Sequence, residues 1–348
     1  MTPRSKRLNT PQIVAIGVAA AVGAAVGVRF AFNGVCRKVN QVAFMPRTLN
    51  AVESKLEQRF AFNGEGIGFD LSGRPAAGEL ADRQTAGGLR ALTGAWRETA
   101  TTQAVHTQGY DGITLVAYTS RVPQPSAKWA VIAHGIRSNH RDTDCFAAQY
   151  AAHGYNTLQV DLRSHGESEG DLVGIGWLDA QDLLQWCHWL VQEYGEDVQV
   201  VLHGQSMGAA ATCMAASADA LPHQVKAAIS DCAFSNFHEE CESIMRPFGP
   251  LSAPVINTVQ KAYTAHGGCA FKDASPVEAV KHAQVPMLFI HGEDDDFVPA
   301  SMVHPLHDAC TSRKQLLLVP GAGHCASHVA DPRSYFNTVF AFCEQATA

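Results

Sequence analysis

The sequence predicts an α/β chain built on an eight-stranded, mostly parallel sheet with helices on both faces. Three observations carry this. From about residue 101 onward, short β-rich runs alternate with longer helical stretches, as βαβ units require. Several runs are continuously apolar, the pattern of strands covered on both faces. One run leads through Gly204-Gln205-Ser206-Met207-Gly208 into the small-residue helix start Ala209–Thr212.

The strand candidates are Gln103–Thr107, Ile113–Thr119, Trp129–His134, Asn156–Asp161, Val198–His203, Lys226–Asp231, Pro286–His291 and Gln315–Val319. The first two flank Gly109 and Asp111-Gly112, a hairpin signature, so an antiparallel start feeds the parallel sheet. Between Phe234 and Ala274 the alternation breaks at Pro247, Gly249, Pro250, Pro254, Gly267 and Gly268, with helical pieces around Glu239–Met245 and Val255–Ala265. An insertion at about 235–274, after a strand at the carboxyl edge of the sheet, reads as a small helical cap.

The 348 residues are 46% hydrophobic and 17% charged, enough for a sizeable core and too apolar for wholesale disorder. The net charge of −7 comes with no basic block beyond the first residues, which argues against nucleic acid as partner, and none is expected. The ten cysteines are scattered, without C-x-x-C pairs or Cys/His clusters at zinc spacing, and no metal is expected. Cys232, Cys241 and Cys269 bracket the cap segment.

Three readings compete for residues 1–32. Arg4, Lys6 and Arg7 precede an apolar run from Ile13 to Val28. At about 1.5 Å per residue this helix spans about 24 Å, short of a bilayer core of about 30 Å. Adding Phe30–Phe32, with Arg29 snorkelling, reaches the lower limit. An uncleaved membrane anchor comes first, a cleaved signal peptide (and so a secreted protein) second, and a soluble chain with an apolar N-terminal helix third. Arg37, Lys38 and Arg47 oppose the N-terminal charges, yet the short leading segment favours an extracytoplasmic catalytic domain. Residues 33–100 read as a helical arm and connector, poorly structured from about 65 to 100 and turning to strand near Thr101. RFAFNG occurs at 29–34 and again at 59–64, two copies being too few for a repeat architecture. The catalytic domain is placed at 101–348.

The Gly-x-Ser-x-Gly turn carries the chemistry. In a strand–turn–helix context the glycines relieve collisions in a tight turn that lifts the serine hydroxyl clear of the sheet. Ser206 is the candidate nucleophile, and the N–H of Met207, at the helix start, is a candidate oxyanion donor. A serine hydroxyl needs a base. His324, in the glycine-rich loop Gly321–His324 after the last strand candidate, fits, with His328 as the bland alternative. The acid belongs between them in sequence order, and Glu293, Asp294, Asp295 and Asp296 crowd the loop after Pro286–His291. Asp295 is chosen on triad geometry. Asp231, at the end of an earlier strand, is the runner-up. The second oxyanion donor is assigned to the N–H of Ile136 in the loop His134–His140, where Arg137 and Asn139 hold the loop. Asp161 and Arg163 are read as a scaffolding ion pair, with Gly166 at a turn.

Together the motifs resemble the α/β-hydrolase superfamily over about Thr101–Phe342. They are His134-Gly135 with Asn139, Asp161–Arg163 with His165–Ser168, Gly174–Trp177 with Asp182, Gly204–Gly208, Ala274–Pro276, His291-Gly292 with Asp295 and Val298-Pro299, and Gly323-His324. Within that superfamily the likeness is to bacterial hydrolases related to serine aminopeptidases or dipeptidyl-peptidase-like catalytic domains, often bearing an N-terminal membrane segment. The resemblance implies an α/β-hydrolase fold, Ser206, Asp295 and His324 as triad, and Ile136 and Met207 as oxyanion donors. In such proteins the acid is the fifth residue counted from the His-Gly of its loop, which is Asp295.

The expected function is hydrolysis of a carboxylic ester through an acyl-enzyme, with no cofactor. A small or lipid-like acyl substrate suits the membrane segment and the cap residues Met245, Phe248, Leu251 and Val255. The alternatives are a peptidase or amidase on the same triad and, last, a non-catalytic binding module.

Overall fold

The structure is a computed structural model that describes residues 85–347. The apolar segment 1–32, both RFAFNG copies and the arm up to residue 84 lie outside the described residues. Among the described residues no helix is long and apolar enough to cross a membrane.

Eight strands form one sheet: β1 (Thr102–Gln108), β2 (Thr114–Ser120), β3 (Lys128–Ala133), β4 (Asn156–Val160), β5 (Gln199–Gln205), β6 (Val225–Asp231), β7 (Met287–Gly292) and β8 (Lys314–Val319). Each of the eight strand candidates from 103 to 319 is a strand. The spatial order is β1-β2-β4-β3-β5-β6-β7-β8. β2 runs antiparallel to both β1 and β4, and the other pairs are parallel. The hairpin turn is closed by Gly109 N–H donating to Ile113 O at 2.8 Å.

Among the described residues, eight helices of seven residues or more pack around the sheet: α1 (Ala86–Thr99), α2 (Asp144–Ala152), α3 (Trp177–Tyr194), α4 (Met207–Ala215), α5 (Phe237–Met245), α6 (Ser252–Ala265), α7 (Val303–Ala309) and α8 (Pro332–Thr347). Alternate residues of each central strand enter opposite cores, as the period of two dictates. Trp129, Val131, Val200, Leu202, Met287 and Phe289 join the core shared with α3, α4 and α6. Ala130, Ile132, Val201, Leu288 and Ile290 join the core that holds Phe146, Tyr150, Tyr335 and Val339.

Residues 86–99 correct the sequence reading, which left this stretch without structure. They form α1, capped by the Thr85 hydroxyl accepting from Gly88 N–H at 3.0 Å. Gly87 and Gly88 weaken its local propensity. Its stability is tertiary: Leu89 is buried in the second core, and Arg97 Nε donates to Asp144 on α2 at 2.6 Å.

The cap segment holds α5, a short turn of 3₁₀ helix at Arg246–Leu251 and α6. Val255, Ile256, Val259 and Tyr263 turn inward from α6, and Tyr263 Oη donates to Val173 O at 2.8 Å. Leu251 stays exposed, so it does not help pack the cap onto the body.

Candidate active site

The turn after β5 has the geometry its residues demand. Ser206 sits at φ 56°, ψ −119°, a region that non-glycine residues enter at a cost of about 1–3 kcal/mol. A Cβ on Gly204 would strike the Gly208 backbone, and one on Gly208 would strike the Ala133 and His134 carbonyls. Ser206 N–H donates to Asp231 O at 2.8 Å, which pins the turn to β6. The helix α4 starts at Met207, so the Met207 N–H is among those a helix leaves without an internal partner.

Three side chains from separate loops meet here. His324 Nδ1 lies 2.8 Å from Asp295 Oδ2, and its Nε2 lies 2.9 Å from Ser206 Oγ. The tautomer assigned from these partners carries the proton on Nδ1, donates to the carboxylate and accepts from the serine hydroxyl. The other Asp295 oxygen, Oδ1, accepts from Phe297 N–H at 3.0 Å and Val298 N–H at 2.9 Å. His291, at the end of β7, places Nε2 3.3 Å from Asp295 Oδ2 and 2.9 Å from Val298 O. Burial alone would raise the Asp295 carboxyl. The hydrogen bonds and charge of His291 and His324 outweigh it and hold Asp295 at about 2. Burial likewise pushes the His324 imidazole down, and Cys232 and Asp295 push it up, with a net rise. The buried Cys232 thiol is itself pushed well above 9.0 and stays protonated. The Asp295 carboxylate is therefore the anion that raises His324 at neutral pH.

The runner-up acid, Asp231, is hydrogen-bonded to residues other than the histidine. Asp231 Oδ2 accepts from Tyr335 Oη at 3.0 Å and from Gln205 Nε2 at 3.2 Å. Burial raises its carboxyl to about 6. Gln205 Nε2 also donates to Cys325 O at 3.3 Å, so it ties the His324 loop to β6. His328 is buried with its ring packed 4.7 Å from Phe146.

The loop after β3 borders the nucleophile. A Cβ on Gly135 would stand 3.2 Å from Ser206 Cβ, so the loop carrying Ile136 runs directly beside the serine. Arg137 N–H donates to His165 Nε2 at 3.0 Å, and the Asn139 side chain accepts from Arg141 N–H at 3.0 Å. The expected Asp161–Arg163 ion pair is corrected. Asp161 Oδ1 accepts from the backbone N–H of His140 at 2.8 Å and lies 2.9 Å from its ring, while Glu167 N–H donates to Oδ2. Arg163 instead forks onto Asp182 of α3 and Asp111 of the hairpin. Both side chains hold loops, through partners that sequence proximity did not indicate.

Two features escaped the sequence reading. Glu240, on the first turn of α5, is 3% exposed and neither of its carboxyl oxygens has a hydrogen-bond partner. Burial raises it to about 8, with His324 and Asp295 near enough to act on it. Cys232 and Cys325 bring their sulfurs to 3.6 Å beside His324. A glutamate on an amphipathic helix looks like a solvated one, and the two cysteines lie 93 residues apart, so the sequence carried no signal for either.

The uncharacterized protein YqkD of Bacillus subtilis is 27% identical over 226 residues, covering 64% of this chain and 73% of that protein. The Pyrococcus furiosus esterase Pf2001 superposes with a TM-score of 0.60 at 18% identity, over 73% of this chain and 94% of that one. An acylaminoacyl peptidase of Pyrococcus horikoshii gives a TM-score of 0.53 at 18% identity, over 72% of this chain and 42% of that one. At these identities the two structures establish the α/β-hydrolase fold. The prolyl oligopeptidase family profile matches residues 143–348, and the chain belongs to that family, a serine hydrolase of the α/β-hydrolase superfamily.

Proposed function

We propose that the chain hydrolyses a carboxylic ester through an acyl-enzyme on Ser206. The observation that carries this is the unbroken hydrogen-bonded series from Asp295 through His324 to Ser206 Oγ. Ser206 attacks the acyl carbonyl as His324 Nε2 takes its proton, and Asp295 holds and stabilises the resulting imidazolium. The N–H groups of Met207 and Ile136 receive the oxyanion. His324 then protonates the leaving alcohol, and water, deprotonated by the same ring, releases the acid. An ester is favoured because its leaving group needs less activation than an amide's. The test is turnover of nitrophenyl esters of graded chain length by the purified full-length protein, beside Ser206→Ala. Equal inactivity of the two on every ester would remove the esterase reading.

One observation favours a second reading, a peptidase or aminoacyl hydrolase. Glu240 is a buried carboxyl without a hydrogen-bond partner, on the helix facing the triad. A substrate ammonium would supply the missing partner and draw off its proton. Glu240→Gln separates the readings. A loss of about tenfold or more in kcat/KM confined to substrates with a free amino group supports the second. An equal response of neutral and cationic substrates removes it.

A membrane tether through residues 1–32, with an extracytoplasmic catalytic domain, belongs to the same proposal and rests on the apolar run Ile13–Val28. Its check is whether activity sediments with membranes and requires detergent for release.

A further inference from the structure

Cys232 follows directly on β6 and Cys325 directly on His324, in loops distant in sequence. Both take φ angles that non-glycine residues rarely adopt, 55° and 57°. Their sulfurs face each other at 3.6 Å, and a ring nitrogen of His324 lies within 4.8 Å of both. Two thiolates bound to one tetrahedral zinc ion at about 2.3 Å stand about 3.8 Å apart, whereas a disulfide closes to about 2.05 Å. The observed spacing needs almost no change to admit the ion. Two sulfurs and an imidazole form a donor set selective for soft or borderline cations over magnesium or calcium. Cys232 is buried, while Cys325 and His324 are part-exposed, which gives an ion a route in.

We propose that Cys232, Cys325 and His324 form an inhibitory binding site for a thiophilic cation, zinc above all. Binding exchanges one Zn²⁺ for the two thiol protons, which pass to solvent, and no electron is transferred. Affinity therefore rises with pH. Both ring nitrogens of His324 are already engaged, Nδ1 with Asp295 and Nε2 with Ser206. Ligation through either one removes a contact the triad needs. The inhibitory consequence rests on the serine-hydrolase reading of His324, whereas binding of the ion does not.

The experiment uses the reduced full-length protein and follows cobalt(II) as a spectroscopic substitute for zinc. The expected result is a thiolate-to-cobalt charge-transfer absorption that saturates at about one ion per chain and is displaced by zinc. It persists in Ser206→Ala and is lost in Cys232→Ser and in Cys325→Ser. Zinc lowers ester turnover of the wild type by about tenfold or more, since one ion occupies the base, and a chelator restores it. Each cysteine variant is compared with and without zinc, so its own basal rate does not enter. Absorption unchanged in both cysteine variants overturns the site, as does zinc inhibition as strong in the variants as in the wild type. Inhibition reversed by a thiol reductant but not by a chelator assigns the pair to disulfide chemistry and also overturns it. Cysteine-dependent cobalt absorption in a protein inactive on every acyl substrate upholds the site and refutes the hydrolase reading instead.

Discussion

Replacing Asp295 by Asn tests the triad assignment most selectively. The fold tolerates the change, because Oδ1 of the asparagine still accepts from Phe297 and Val298 N–H. The other position changes sign. An amide NH₂ replaces the oxygen that accepts from His324 Nδ1 at 2.8 Å, so two donors face each other. The ring then favours the tautomer protonated at Nε2, which cannot take the proton of Ser206. Triads that lose the acid in this way drop by about 10,000-fold in kcat, which is about 5.5 kcal/mol of transition-state stabilisation. The pH profile gives an independent readout. The hydrogen bond and charge of the carboxylate push the His324 imidazole up, and the base works only when deprotonated. Activity of the wild type therefore falls as pH drops through the titration of His324. In Asp295→Asn the imidazolium loses its anion, so this limb moves to lower pH. Stopped-flow or plate-based ester turnover across pH measures both. A loss below about tenfold, or an acid limb that does not move, would refute the assignment.

The other expectations concern the fold and the discarded acid. Asp231→Asn should lower kcat/KM by less than about tenfold, because Asp231 bonds Tyr335 and Gln205 rather than His324. Burial lifts Asp231 from 3.8 to about 6, so the folded state holds its proton more tightly and wild-type stability declines as pH rises between those values. Denaturant melts of Asp231→Asn should lack that decline. Gly204→Ala drives a Cβ into the Gly208 backbone and the Thr212 hydroxyl, and a loss of about 3 kcal/mol or more in the same melts is expected. Leu89→Ala should cost about 2–4 kcal/mol, since Leu89 is 1% exposed in a closed aliphatic and aromatic cluster. A near-neutral result there would mean that α1 is not part of the cooperative unit.

The strands were legible because both faces of the sheet are buried. A run such as Met287–Ile290 must then be apolar throughout, and no helix of that length survives between turn residues. The elbow was legible because only glycines fit two before and two after Ser206. Asp295 is picked out of four adjacent acids on triad geometry supported by family resemblance, whereas its depressed carboxyl depends on His291 as well as His324, and the His291 contact is one no pattern announces. Helix α1 was missed because its strength lies in contacts with α2 and the second core rather than in its own glycine-containing sequence. Asp161 and Arg163 were paired by proximity, but the backbone turns one toward His140 and the other toward Asp182 and Asp111. Glu240 and the Cys232–Cys325 pair depend on packing between distant segments, which periodicity and spacing do not encode.

The central claim is that Ser206 becomes acylated. Its most direct test is intact-mass spectrometry of the full-length protein, acid-quenched within the first turnovers of a nitrophenyl ester, followed by peptide mapping. The account predicts one acyl group per chain, located on Ser206, absent from Ser206→Ala and accumulating further in a variant whose deacylation is slowed. Ester turnover with an acyl group on another residue, or with undiminished turnover in Ser206→Ala, would contradict it.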